Sequence, residues 1–491
     1  MSTPPLASGP QGPHALGPLL DTVLTALGDG TRARGGPLPR GGPDAVAARL
    51  RDALGDLLPE QGDPTALYTL VRAVTEGSAD PADPLCAAHL HCPPLAVATA
   101  ADLAASTLNP SLDSWDQAPA ASELEALLAR ELAALTFTEG RAATAHDGTG
   151  GPRDAFATTG GTGGAPDALV TTGGTGGAPD ALVTTGGTES NQLALLLARE
   201  AHPGVRLVHG ANAHHSLPRA AWLLGLPDPV TVPAPAGTLD PAALDEALTR
   251  LPGPHLVAAT AGTTDAGLID PLPEIAALCA RHHARLHIDA AYGGGLLFSD
   301  RRRHLLTGLA AAATVTLDLH KLGWQPVAAG LLAVRDPDDL HALHQHADYL
   351  NADDDTDAGL PDLLARSPRT TRRPDILKIA ATVATLGRQG LGDLVDQVCD
   401  RATDLADLIE AHPRLELHDR PTLSTVLFRP ATATDATVAA LRRHLLTDGQ
   451  AVLGRARLDG RLWLKATLLN PRTAPGDLTT LLGLVEGTTP R

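Results

Sequence analysis

Lysine is almost missing from this chain. Of its 38 lysines and arginines only Lys321, Lys378 and Lys465 carry an amine. Arginine serves wherever charge suffices, so a retained lysine points to chemistry that a guanidinium does not do readily, above all imine formation. Aromatic residues are equally scarce at 2%, which leaves Leu, Val, Ile and Ala to fill the core. The four cysteines (Cys86, Cys92, Cys279, Cys399) are too few and scattered for a disulfide framework and are read as reduced thiols. Positive charge is in deficit: 38 basic against 56 acidic side chains give a net charge of −18. Such a surface repels phosphate backbones and anionic lipid, so neither nucleic acid nor membrane is expected as a partner. No apolar run approaches the ~20 residues that span a bilayer. Met1–Pro18 lacks the basic start and apolar run of a signal peptide. The expected location is the cytoplasm.

With 491 residues the chain is long enough for two or three cores. Residues 1–43, rich in Pro and Gly, read as disordered or loosely packed. A helical N-terminal segment is expected over 44–110, including Asp44–Leu58. A large domain is expected over 111–374, with a helix at Ser122–Leu135. Inside it, short apolar strands alternate with helices: Ala181–Val183, Val205–Val208, Val230–Val232, His255–Ala259, Leu286–Ile288, Val315–Leu317 and Gly330–Val334. That alternation predicts an α/β fold with a mainly parallel central sheet covered on both faces. A helix over Asp375–Leu386 and a further helical stretch to about His412 lead into a strand–helix–strand–helix tail. Residues 375–491 thus read as a small C-terminal α/β domain. Thr158–Val170 is repeated without change as Thr171–Val183, and Thr184–Thr188 begins a third copy. Two copies and a fragment are too few for a solenoid and read as a lengthened loop.

Four segments carry chemistry. Leu286–Gly295 (LHIDAAYGGG) ends an apolar strand in Asp289, followed by small residues. Ligands of open α/β sheets bind beyond the carboxyl ends of strands, and a carboxylate there pairs with a cationic ring nitrogen such as that of pyridoxal phosphate (PLP). Taken alone, Asp289 would be a turn cap more often than a cofactor ligand. Thr314–Gly330 (TVTLDLHKLGWQPVAAG) ends a second strand in Asp318, then His320 and Lys321, within reach of the same crevice. The rival amines are Lys378, in a helix pattern, and Lys465, in a tail strand. Thr184–Asn191 (TTGGTESN) is a Gly-rich turn opening a helix, an arrangement that offers N–H groups to a phosphate. In Ala211–Leu226 (ANAHHSLPRAAWLLGL), His214 or His215 precedes a helix, where an imidazole can stack on a flat ring. The clusters His282, His283, His287 and His341, His344, His346 lack a completing Cys or carboxylate set, so no metal is expected.

Together TTGGTESN, AHHS, ATAGTTDAGLIDPL (Ala259–Leu272), HIDAAYGG and DLHK resemble, in order and spacing, the group II PLP-dependent amino-acid decarboxylases. Upstream Leu90–Pro94 and NPSLDSWDQ (Asn109–Gln117), and downstream TTRRPDILK, PTLSTVLFR and KATLLNP, extend the resemblance over roughly residues 85–485. HKLGWQPVAAG, DYLN, TTRR and TLLNP look most like the bacterial branch acting on lysine or 2,4-diaminobutyrate.

The resemblance implies the fold type I, aminotransferase-like architecture, a homodimer, and roles for matching positions. Lys321 is expected to hold PLP as an imine, and Asp289 to pair with the pyridinium. Ala291 lies beneath the ring and His214 stacks on it, with His215 at a variable position. Gly187 and Thr188 match phosphate-binding positions, Thr263 a threonine near the cofactor, and Asp318 and His320 residues that contact PLP. The implied reaction is decarboxylation of an L-amino acid, with a dibasic substrate (2,4-diaminobutyrate, lysine or ornithine) foremost. Asp353, Asp354 and Asp355 are candidates for a distal ammonium. One feature departs from the aromatic decarboxylases. Their proton-donating tyrosine has no counterpart in about Asp353–Arg369, and His214 is taken as the substitute acid. Two alternatives stay open: a decarboxylating oxidative deaminase, and a noncatalytic homologue acting as a dimer partner. The substrate alternatives are aromatic, acidic or aliphatic amino acids.

Overall fold

The computed structural model describes residues 4–138 and 177–488. The N-terminal part is helical: α1 (Gly12–Arg34), α2 (Gly42–Leu54) and α3 (Ala66–Glu76). Within the stretch 1–43, expected to be loosely packed, α1 departs from that expectation, because it docks on α3. Gly30 makes this approach possible: a Cβ there would lie 2.7 Å from the Arg72 carbonyl. Tyr68 donates to Asp29 across the same seam at 2.7 Å. Next come a two-residue strand β1 (Cys86–Ala87), α4 (Ala96–Leu108) and α5 (Pro119–Phe137).

The large sheet comprises β2 (Asp180–Thr184), β3 (Arg206–Gly210), β4 (Val230–Val232), β5 (His255–Thr260), β6 (Arg285–Ala290), β7 (Thr314–Asp318) and β8 (Gly330–Val334). Its order is β2-β8-β7-β6-β5-β3-β4, parallel except for β8, which runs against both neighbours. Each strand sits within a residue or two of its sequence expectation. Helices α6 (Gly187–Ala201), α7 (Ser216–Leu223), α8 (Pro241–Arg250) and α9 (Leu272–Arg281) connect the strands, and the one-turn α10 (Leu319–Leu322) follows β7. Alternation sends Leu256 and Ala258 towards α6 and α7, while Val257 and Ala259 join the main core with Ile275, Ile288 and Val315. Both faces are thus covered, and β5, β7 and β8 are buried along their whole length.

Thr158–Gly176 of the repeat lies outside the described residues. The end of the second copy forms β2, and Thr184–Thr188 of the third leads from β2 into α6.

After short helices α11 (Asp348–Asn351) and α12 (Asp353–Asp357), α13 (Ile376–Glu410) crosses to a second sheet. It joins the two helical stretches expected from sequence, and the break between them is Gly387, at φ 65°. The second sheet holds β9 (Leu415–Leu417), β10 (Thr425–Pro430), β11 (Val452–Leu458) and β12 (Arg461–Thr467), with α14 (Asp435–Thr447) and α15 (Pro475–Thr488) packed on it. The N-terminal strand β1 adds to its edge beside β11. The Trp324 indole, wholly buried, donates to the Leu469 carbonyl at 2.8 Å and ties the two units together beside the crevice.

Candidate functional site

The carboxyl ends of β5, β6 and β7 lie side by side. Thr260 pairs in register with Asp289, and Asp289 with Thr316. On the other flank Asp318 pairs with Gly330, and Gly330 with Thr184. Polar residues that end apolar strands thereby meet at one edge. Above that edge is a cleft of about 470 Å³. Gly187, Thr188, His214, Asp289, Ala291, Asp318, His320 and Lys321 all line it. Thr263 stands behind the wall. Its Oγ1 accepts from Leu268 N at 3.0 Å, while its neighbours Gly262 and Thr264 face the cleft.

Lys321 Nζ is 2.9 Å from Asp318 Oδ2, and the Asp318 side chain is 2% exposed. The backbone beneath them is pinned by Cys92, whose thiol donates to the His320 carbonyl at 3.1 Å. Burial, opposed by the nearby Asp318 charge, pulls the His320 imidazole below its usual pKa. Asp289 accepts from Ala291 N at 3.1 Å and from Asn191 Nδ2 at 2.8 Å. His214 Nδ1 lies 2.8 Å from Ser216 Oγ. Burial lowers the His214 pKa, with Asp289 acting against it.

The cradle at the N-terminus of α6 is tight. Gly186, at φ 151°, takes a backbone conformation that L side chains rarely adopt. A Cβ on Gly187 would lie 3.1 Å from the Ala291 methyl and 3.2 Å from Asp318 Oδ2. Backbone N–H groups at such a terminus suit a phosphate. Asp318 Oδ1 and His320 Nδ1 are buried with no hydrogen-bond partner among the described residues. This donor set fits PLP: an amine for the aldehyde, a carboxylate for the ring nitrogen, and a helix N-terminus for the phosphate.

The rival lysines separate. Lys378 is wholly buried and paired with Asp375 at 3.0 Å and Asp102 at 3.4 Å, away from the cleft. Lys465 does line the cleft, as do His89, Asn191 and Tyr292. Of these, Asn191 had a local signal: it lies four residues after Gly187 and so faces the same way on α6. Lys465 and His89 come from segments that only tertiary packing brings to the crevice. Tyr292 turns its hydroxyl to Ser424 and Thr425, at 2.8 and 3.0 Å, and burial raises its pKa. Asp353, Asp354 and Asp355 lie exposed on α12 and do not line the cleft.

Residues 166–431 match the family model described as the pyridoxal-dependent decarboxylase conserved domain. An L-2,4-diaminobutyrate decarboxylase of Rhizobium meliloti is 38% identical over 89% of this chain and 85% of its own length. One from Acinetobacter baumannii is 29% identical over 81% and 78%. Among solved structures, the glutamate decarboxylase domain of a Vibrio parahaemolyticus diaminobutyrate-pyruvate transaminase and L-2,4-diaminobutyrate decarboxylase superposes with a TM-score of 0.79. It is 28% identical and covers 99% of this chain and 97% of that one. A lysine just past one strand and a carboxylate near the end of the next, sharing one cleft in this fold, with those relatives, make the chain a member of the pyridoxal-dependent decarboxylase family: a PLP-dependent amino-acid carboxy-lyase of fold type I.

Proposed function

We propose that the enzyme decarboxylates a dibasic L-amino acid, with L-2,4-diaminobutyrate foremost, releasing the diamine and CO₂. The substrate reading is supported by the two relatives above, which act on that compound by name. The observation that carries the site is the placement of Lys321, just past β7, and Asp289, near the end of β6, in one cleft whose lining does not include Lys378.

PLP, when bound, supplies an aldehyde that condenses with amines and a ring that accepts the electrons of the breaking C–C bond. Lys321 is proposed to hold it and to yield its place to the substrate amine, with Asp318 balancing the freed ammonium. Asp289, oriented by two N–H donors, would keep a proton on the ring nitrogen. Gly187 and Thr188, with His320, would receive the phosphate. Ala291 would leave room for the ring, His214 would contact it as a catalytic imidazole, and the Thr263 loop would close one side. Residues 111–374 then form the cofactor-binding domain, 44–110 a helical N-terminal segment, and 375–491 the small domain.

We further propose a cytoplasmic homodimer without nucleic-acid or membrane partners. Large exposed apolar side chains on the N-terminal helices, Leu24 at 66% and Leu108 at 69%, support a covered face. The net charge of −18 opposes anionic partners. No helix among the described residues is long and apolar enough to cross a membrane.

The test is spectroscopic and then catalytic. Protein supplied with PLP should show a borohydride-reducible band near ~420 nm that Lys321→Ala lacks. CO₂ release should be fastest with diaminobutyrate in a panel including lysine, ornithine, aspartate and tyrosine. One observation favours a second reading. The Lys465 amine in the cleft wall suits an acidic side chain, and a 28%-identical relative from Aliivibrio fischeri is named aspartate 1-decarboxylase. Faster turnover of aspartate than diaminobutyrate would establish that reading instead.

A further inference from the structure

At the base of the cleft, one buried amide joins the residues proposed to face the cofactor. Asn191, wholly buried on the second turn of α6, uses both amide atoms twice. Its Nδ2 donates to Asp289 Oδ2 at 2.8 Å and to Ser216 Oγ at 2.9 Å. Its Oδ1 accepts from Thr316 Oγ1 at 2.8 Å and from His287 Nε2 at 3.0 Å. The opposite orientation would press Oδ1 against the Asp289 carboxylate, which only accepts, and leave the Thr316 hydroxyl facing a donor. The amide is therefore fixed.

The backbone fixes the next proton: Ser216 N donates to His214 Nδ1 at 3.3 Å, so that nitrogen presents a lone pair. Ser216 Oγ, which accepts one Asn191 proton, lies 2.8 Å from the same nitrogen and turns its own proton to it. Two donors aimed at Nδ1 need a lone pair there. An imidazolium, which carries a proton on each nitrogen, would clash with both.

We infer that Asn191 and Ser216 are positioning residues that hold His214 neutral, with its proton on Nε2, so that His214 acts as a hydrogen-bond donor and not as the acid that protonates the substrate carbon. This departs from the role its sequence position suggests. The charged groups facing His214 are Asp289 and Asp318, which favour the imidazolium, and Lys321 and neighbouring His215, which oppose it. Burial outweighs both sets and acts in the same direction as the hydrogen bonds. The proton for carbon then comes from another group. An amine that lines the cleft is Lys321, 2.9 Å from Asp318.

The inference rests on the proposed decarboxylase site, and two readouts keep their failures apart. In PLP-loaded protein labelled with ¹⁵N-histidine, with His214 assigned by loss of its signals in His214→Gln, the spectrum at pH 7 should show Nε2 protonated and Nδ1 bare. A proton on Nδ1 overturns the inference whether or not the enzyme turns over. In catalysis, a glutamine amide can replace a neutral Nε2–H donor but not a general acid. His214→Gln should lose about tenfold in kcat, the scale of one altered hydrogen bond. His214→Phe should lose ~100-fold or more. Equal losses in the two variants overturn the donor role. Ser216→Ala should lower kcat several-fold with KM unchanged, and Ser216→Thr, which keeps the hydroxyl, should restore it; absence of that rescue overturns the relay. A wild type lacking the reducible band would instead refute the proposed site.

Discussion

Lys465 reaches the cleft from β12, where its Nζ donates to the Thr264 carbonyl at 3.0 Å. Burial lowers its pKa, Asp265 acts against that, and Arg442 adds to it. A charged Lys465 repels a distal ammonium and attracts a distal carboxylate. At a few ångströms in a partly wet cleft this is worth about 1 kcal/mol, roughly fivefold in affinity. Lys465→Met should therefore lower KM for diaminobutyrate by about fivefold and raise it for aspartate, with kcat for each little changed. Because the folded-state pKa is lowered, the charge is lost earlier as pH rises. The wild-type KM for a dibasic substrate should thus fall on the alkaline side, and Lys465→Met should flatten that trend. A KM for diaminobutyrate that rises in the variant would show the amine to be an attractive contact instead. Asp289 was legible because it comes at the end of an apolar strand, and Lys321 because it follows one by three residues, a local pattern that fixes direction and place. Lys465 follows the same kind of apolar alternation, but nothing local says that β12 turns that side chain towards a different sheet.

At the scale of elements, the strands were readable because burial on both faces leaves apolar runs bounded by Gly, Pro and Asp. α1 was not, because Gly and Pro at both ends of Gly12–Arg34 mask the apolar spacing of Leu19, Leu20, Val23, Leu24 and Leu27. The turn from β2 into α6 was legible as a phosphate cradle, but its tightness was not. Gly187 has ordinary helical geometry for a first-turn residue, so alanine costs the helix nothing and helix propensity favours it by about 1 kcal/mol. The added methyl would nonetheless stand 3.1 Å from Ala291 and 3.2 Å from Asp318 Oδ2, inside the cleft. Gly187→Ala should keep the melting temperature of the cofactor-free protein within a few degrees of wild type while weakening PLP binding by about tenfold. Equilibrium titration of the visible band checks this. Unchanged affinity would place the phosphate elsewhere.

For the whole molecule, acid stability is set by buried imidazoles. His287 is wholly buried between Asn191 and Thr314, and burial pushes its pKa down to about 4. His89, His209, His214, His255 and His320 are also lowered, with burial the leading cause in each. A histidine with a depressed folded-state pKa binds protons more readily when unfolded. Its stabilisation is present above about 6.5, the unfolded value, and is lost as pH falls through the folded one. Two carboxylates, half-buried Asp83 and buried Asp270, are raised by burial and have the opposite sign, but starting from the ordinary aspartate range, about 3.9, they act lower on the pH scale. Protonation also reduces the net charge of −18 and with it the self-repulsion of an acidic surface. That surface effect is screened within about 10 Å at ordinary salt, whereas charging His287 would put an imidazolium in a wholly buried site, where burial disfavours the charge. The histidines should therefore prevail between pH 6.5 and 4. The urea midpoint should fall steadily from pH 7 to pH 5. His287→Gln, which retains a donor for Asn191 but does not titrate, should show a shallower fall. A midpoint that holds or rises towards pH 5 would mean that relief of surface repulsion outweighs the buried imidazoles.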